Sequence, residues 1–463
     1  MPDRDIPVPV SRRRFLAGSA LLAGGAAATP LLAACDASSG GSGGSGTGTG
    51  TGTGKTTITA MYASNELTKE HIADFERLHP DIKVQLVEPG SDESKLNAML
   101  ASGSPPDFVR GPAVGSANNN ARGLAADLDP YLDKSSLLTK ADLLAVNDNW
   151  RWDGKQIGAG PYYGITKDWS QDATLWYNGA LFEQAKVDPL STTEPVTYDA
   201  LLETGRKLAV RKGGKTTVYG LGVEWQWGLS GPLFGMVLSQ GGSIYNTDLT
   251  QTDVTTPAAK RALQWLVDLA LSGAAPSSLS PLPDGADLST FMAGRMAVSQ
   301  DGYWYGGNFI KAPAALQADI RMAPAPLMGD KRVSPCYVGM GAWIPAESKN
   351  KDAAWKLMEY FMAGPPAEER AKSGWGLPSL KSLLPKLPQE LPYQQEAYKT
   401  AQAELAFNAP MPDSPYITPG NWVTILNKHV DLAIRKKITV DVAAQKITED
   451  VNKLLKQGKD RIG

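Results

Sequence analysis

Thr57 to Val109 reads TITAMYASNELTKEHIADFERLHPDIKVQLVEPGSDESKLNAMLASGSPPDFV, and its hydrophobic period changes repeatedly along the way. Thr57 to Tyr62 alternates as a strand does. Thr68 to Leu78 sets Ile72, Phe75 and Leu78 on one face and predicts a helix. Ile82 to Val87 predicts a second strand, and Ser94 to Ala101, with Leu96, Met99 and Leu100, a second helix. Asp107 to Val109 predicts a third strand after Pro105-Pro106. Strand, helix, strand, helix, strand is the pattern of an α/β layer with a parallel sheet. Ligands of such sheets sit beyond the carboxyl ends of the strands. The candidate loops are therefore 63–66, 88–91 and 110–112. They offer Asn65, Glu66 and Arg110 as polar candidates.

Downstream, Trp150 to Ile157 predicts a hairpin turning at Asp153-Gly154. A second alternation follows. Strands are expected at 173–177, 219–223 and 295–299, and helices at 180–185, 198–209 and 257–271. Pro257 suits a first helical turn. After Trp343-Ile344-Pro345 the chain reads as helical, at 351–362, 367–373, 392–407, 419–435 and 440–456. Trp265 and Trp355 fall at apolar helix positions and are read as core. Trp150 and Trp152 on the hairpin are read as surface or core.

Upstream lies Ser11-Arg12-Arg13-Arg14-Phe15-Leu16, with the form of a twin-arginine export signal. A run of small and apolar residues follows, ending in Leu32-Ala33-Ala34-Cys35, which resembles a lipoprotein cleavage and lipidation site. Residues 1–34 are thus expected to be a signal peptide and Cys35 a lipidated N-terminus. Residues 35–55, rich in Gly, Ser and Thr, are expected to be a flexible tether; its 37–54 stretch spans on the order of 25 Å. The body is then extracytoplasmic, lipid-anchored to the outer face of the cytoplasmic membrane. Gly54-Lys55-Thr56 mimics a phosphate-binding loop, but Thr49 stands where that motif needs Gly.

The leader holds four of the 46 Lys and Arg and two of the 48 Asp and Glu, so the remainder carries net −4. That balance argues against a nucleic-acid partner. The 429 residues left after cleavage are too many for one hydrophobic core and suit two domains. With Cys35 used by the leader, Cys336 has no intrachain disulfide partner. The three His residues, His71, His79 and His429, form no HExxH motif, and neither a metal nor a cofactor is expected. No nucleophile elbow occurs at Gly228-Leu229-Ser230-Gly231. Twelve Trp and 15 Tyr against nine Phe favour an amphipathic aromatic surface.

The segment Ala173-Thr174-Leu175-Trp176-Tyr177-Asn178-Gly179-Ala180-Leu181-Phe182-Glu183-Gln184-Ala185, followed by Glu194-Pro195-Val196-Thr197, resembles extracellular solute-binding proteins of the family that includes maltose-binding protein. Further matches follow in family order: Lys95 to Gly103 into Pro106-Asp107, Gln240-Gly241-Gly242, Gly294 to Val298 into Gly302-Tyr303-Trp304, Ser348-Lys349-Asn350 and Gly376-Leu377-Pro378. The resemblance covers nearly the whole mature chain. It implies an α/β, two-lobe periplasmic-binding-protein-like (type II) fold with a ligand cleft between the lobes. One lobe would hold 56–170 plus 342–387, the other 171–341 plus 388–463. It further implies a monomeric, non-enzymatic binding protein that captures a sugar or oligosaccharide by hinge closure and delivers it to the transmembrane subunits of an ABC permease.

A sugar wants flat rings against its faces and polar groups around its rim. The resemblance points to Trp304 and Trp422 as cleft aromatics, and to the Glu224-Trp225-Gln226-Trp227 loop as a source of an acid and an aromatic. Trp375, between two glycines, is a further candidate, with Asp172 and Asp301 beside the Asn65, Glu66 and Arg110 already named. After Pro106-Asp107 the chain reads Phe108-Val109-Arg110-Gly111-Pro112, without the aromatic that maltose-binding protein has there, which turns the expectation from maltodextrin to sugars in general. Two rival readings remain: a binding protein for a polyamine, peptide or chelate, and an exported glycosidase.

Overall fold

Thr68 opens the first helix, Lys69–Leu78, by accepting a hydrogen bond from the amide of His71, whose ring in turn accepts from the Thr68 amide. That helix buries Phe75 completely against the strands Thr56–Met61 and Ile82–Leu86. Burying such a ring stabilises the fold by about 2 kcal/mol. The computed structural model describes residues 54–223, 228–282 and 287–462. The leader, Cys35, the tether up to residue 53 and the 224–227 loop lie outside the described residues. From Gly54 onward the chain forms one compact unit.

Two sheets organise it. The larger has six strands in the order Leu377–Pro378, Gly164–Trp169, Met340–Trp343, Phe108–Pro112, Thr56–Met61, Ile82–Leu86. Thr56–Met61 runs parallel to both its neighbours, with Thr56 opposite Ile82 and Ala60 opposite Phe108. The expected parallel sheet is therefore only half of the real one. Met340–Trp343 enters antiparallel to both Phe108–Pro112 and Gly164–Trp169. It arrives more than 220 residues after Phe108–Pro112 and about 170 after Gly164–Trp169, and local periodicity carries no signal for such partners. Gly341 allows the insertion, because a Cβ there would collide with the carbonyl oxygen of Ile165. The core under this sheet centres on Ile58, Phe75, Phe108, Ile165, Ile344 and Phe361.

The smaller sheet has the order Gly222–Val223, Val298–Gln300, Leu175–Asn178, Ile320–Ala323. Leu175–Asn178 is buried along its whole length and antiparallel to both neighbours. Helices Tyr198–Leu208, Pro257–Leu271, Pro419–Ile434 and Val440–Ile462 contribute to its core, as does Ser230–Ser239. Pro257 is the first residue of its helix, capped by Thr256. Trp265 and Trp355 are buried, and Trp265 Nε1 donates to the Tyr198 carbonyl at 2.9 Å. The hairpin Arg151–Trp152 with Ile157–Tyr162 forms as expected from its turn. Trp150 beside it is buried and donates from Nε1 to Thr166 Oγ1 at 3.1 Å.

A third apolar cluster joins the two sheets through Trp169, Trp176, Tyr303, Phe309, Leu377 and Tyr393. The chain passes between the sheets here, first over 170–174 and again over 335–339. Asp172 ties the two passages together. Its amide donates to the Pro335 carbonyl at 3.0 Å, and its carboxyl accepts the Tyr337 amide at 2.6 Å.

Candidate functional site

A cavity of about 280 Å³ opens where the passages meet the carboxyl ends of the large sheet. Its charged wall comes from three places in the sequence: Glu66 from the loop after Thr56–Met61, Arg110 from Phe108–Pro112, and Lys167 with Asp168 from Gly164–Trp169. Arg110 Nη2 lies 2.6 Å from Glu66 Oε1, and Arg110 Nε 3.1 Å from Oε2, a two-point grip. Lys167 Nζ lies 3.0 Å from Glu66 Oε2 and 2.6 Å from Asp168 Oδ2. Burial pushes the Glu66 carboxyl up, but the bond from Arg110 and the charge of Lys167 outweigh it and hold the group below the usual range. Burial likewise pulls Arg110 down, and Glu66 more than restores it.

The aromatic wall is Trp304 and Trp375. Their ring centroids are 5.8 Å apart and their planes 60° apart. Trp304 is the second residue of the short helix Tyr303–Lys311, after Gly302 turns the chain with φ 69°. Only glycine fits that turn, since a Cβ there would lie 2.8 Å from the Asp172 Cα. The Trp304 amide donates to Ser170 Oγ at 3.1 Å, which fixes the ring relative to the first passage. Trp375 sits in the turn between Pro365–Ser373 and Leu377–Pro378 and is 47% exposed, at the mouth. The cavity is thus framed by the large sheet, both passages and the helix Tyr303–Lys311, with Ser170 and Asp172 among its lining residues. Burial raises the Asp172 carboxyl to about 7.

Five residues singled out from the sequence therefore line one cavity: Glu66, Arg110, Asp172, Trp304 and Trp375. Others do not reach it. Asn65 is exposed on the loop beside Glu66. Asp301 is fully buried behind Trp304, where it accepts from Ser299; burial first, and then Asp287, push its carboxyl well above the usual range. The 88–91 loop ties itself to the 63–66 loop instead, Glu88 accepting from the amides of Ser64 and Gly90. Trp422 is buried in the core of the small sheet and lines a different, smaller cavity, donating to Tyr245 Oη at 2.6 Å. Glu224, Trp225 and Trp227 lie outside the described residues, as does Cys35. Lys167 and Asp168 were missed. Among the described residues, no group of three or more His, Cys, Asp or Glu is placed to hold a metal ion.

Residues 55–367 match the profile of the family described as bacterial extracellular solute-binding protein. The chain belongs to that family. Several solved structures share the fold of this solute-binding protein. An ABC substrate-binding protein from Listeria monocytogenes in complex with cycloalternan is 23% identical, with a TM-score of 0.70 over 86% of this chain and 98% of that one. A solute-binding protein from Thermotoga lettingae bound with α-D-tagatose is 21% identical, with a TM-score of 0.70 over 87% and 100%. The sugar-binding protein MalE from Xanthomonas citri is 20% identical, with a TM-score of 0.68 over 87% and 98%. None of the curated proteins matches this solute-binding protein. Its family and these neighbours are binding proteins rather than enzymes.

Proposed function

We propose that this solute-binding protein captures a sugar or oligosaccharide in the cavity between Trp304 and Trp375 and delivers it to an ABC importer. The observation that carries this reading is a cavity whose charges are already balanced beside two large rings. Glu66 and Asp168 face Arg110 and Lys167. Asp172, raised to about 7, is only about half ionised at neutral pH, so the excess of negative charge stays below one carboxylate. A sugar hydroxyl both donates and accepts, so it can insert between a carboxylate and a cation and satisfy both. The rings offer flat apolar area to the sugar faces. A polyamine would need carboxylates in excess, since a buried cation without its own partner is costly. The solved relatives with cycloalternan and α-D-tagatose support the same ligand class.

In this reading, residues 56–170 with 342–387 form one lobe and 171–341 with 388–463 the other. They close about the passages at 170–174 and 335–339 by hinge bending. The leader carries the chain out by the twin-arginine route, and a lipid on Cys35 with the 35–55 tether keeps it on the outer face of the cytoplasmic membrane beside its permease.

A thermal-shift screen of sugars and amines tests the ligand class. A ligand at 100 times its dissociation constant stabilises by about 2.7 kcal/mol, which moves the melting point visibly. Sugars are expected to raise it and polyamines not. The reverse outcome refutes the sugar assignment.

A further inference from the structure

The hairpin Val210–Lys212 with Lys215–Val218 leads through Tyr219 into the small-sheet strand Gly222–Val223. That strand runs parallel to Val298–Gln300, whose carboxyl end carries Gly302 and Trp304, so the hairpin stands at the end of the sheet away from the main cavity. From Arg206 to Val223 the chain has five Lys and Arg and no Asp or Glu. Thr216 Oγ1 donates to the Gly273 carbonyl at 3.1 Å, which packs the 271–280 run along the hairpin. Further along that run, the Ser278 carbonyl oxygen lies 3.5 Å from Arg435 Nη2, and Lys436 and Lys437 follow in the turn after Pro419–Ile434. The acids nearby are already engaged: Glu203 by Arg206, Asp431 by Arg435 and Asp268 by Gln264. The exposed Lys207, Lys212, Lys215, Lys436 and Lys437 pair with no carboxylate among the described residues. Val210, Leu271 and Leu279, on the same segments, are exposed as well. The chain after residue 34 carries net −4, so this positive field is local to one face.

We propose that this face rests on the anionic phospholipid of a membrane surface. Lipid phosphates complement the unpaired ammonium groups, and the aliphatic side chains enter the headgroup layer, where a soluble polyanion has nothing to offer them. The tether joins the large sheet at Thr56, whereas this face belongs to the small one. A lipid on a slack tether leaves the body free to turn; a second, charged contact on another part of the chain limits that turning. The proposal adds to the lipid-anchor reading, and its test needs neither the lipid nor a sugar.

The test is co-flotation of the mature protein, carrying Cys35→Ser, with vesicles of equal parts phosphatidylglycerol and phosphatidylcholine. Binding is expected at low ionic strength, lost at high salt and absent with phosphatidylcholine alone. Each cation near an anionic surface is worth roughly fivefold in partition, so Lys207→Glu, Lys212→Glu and Lys215→Glu together should lower it by at least about a hundredfold. Lys436→Glu with Lys437→Glu should lower it independently. The charge-matched set Lys69→Glu, Lys155→Glu and Lys349→Glu, at residues exposed elsewhere, should leave most of the binding in place. No binding at low salt, or equal loss in the two sets of three, overturns the proposal. So does binding that inorganic polyphosphate displaces phosphate for phosphate and that Leu271→Gln with Leu279→Gln leaves unchanged, which assigns the face to a polyanion. The attraction is weak enough to be lost on dilution, so fractionation of cells carrying Cys35→Ser reports on the lipid and this assay on the face, and either can fail alone.

Discussion

Asp172 holds the two passages between the sheets through its own amide and its carboxyl, while its carboxyl also borders the cavity. Its folded pKa of about 7 lies above the value of about 3.9 expected for the unfolded chain. Between those values the folded state binds the extra proton, so stability contributed here is lost as pH rises from about 4 to about 7. Asp172→Asn keeps an acceptor for the Tyr337 amide and removes the titration. The wild type should therefore lose melting temperature relative to Asp172→Asn across that window, in scans at pH 4.5 and pH 8. Parallel profiles would show that the carboxyl does not titrate there. The same scale shows what a sequence can reveal about a site. Glu66, Arg110 and Trp375 were visible because strand ends and glycine-flanked aromatics mark loops. Asp301 shared that signal, standing just before Gly302, but it ends the buried strand region Val298–Gln300 and points its carboxyl to Ser299. Lys167 was invisible because a charge inside a strand is read as solvent-facing unless its partners, here Glu66 and Asp168, are known.

Most elements were legible wherever local chemistry defines them. The capped helices Lys69–Leu78 and Pro257–Leu271 lie within a residue of their expected bounds. The strands Gly164–Trp169, Ile320–Ala323 and Met340–Trp343 were not anticipated, because their partners are remote in sequence and their glycines and charges blur the alternation. Met340–Trp343 has a stringent demand at Gly341. Gly341→Ala forces the strand off Ile165 and should cost about 1–3 kcal/mol, read as a lower midpoint in urea unfolding. A second contact bears on binding. Asn118 Nδ2 donates to the Pro415 carbonyl at 2.7 Å, beside the Gly115–Asp413 bond, so the short helix Ser116–Ala121 is tied to the 413–415 segment before Pro419–Ile434. If the parts of the chain around the two sheets move together on binding, these bonds favour the closed arrangement. Asn118→Ala with Asp413→Ala should then weaken ligand affinity by roughly three- to thirtyfold, mainly through faster dissociation. Unchanged dissociation rates would mean that the contact holds the fold and not the closure.

For the molecule as a whole, two sheets are joined by an aromatic cluster and by chain crossings, two of which border the main cavity. The family was legible because its short matches recur in order along the chain, as far as Gly376-Leu377-Pro378, and the family profile covers 55–367 of it. The identity of the solute was not, because it depends on which side chains converge on the cavity. The lipid anchor is tested separately: Cys35→Ser should release the protein from membranes in fractionated cells, and continued membrane association would argue against lipidation at that residue. The most direct test of the central claim is a calorimetric titration of the best sugar from the screen against the wild type and Trp304→Ala. The account predicts one saturable site, weakened about thirtyfold in the variant, a loss of about 2 kcal/mol. Equal affinity for the two proteins, with the fold intact, would contradict it.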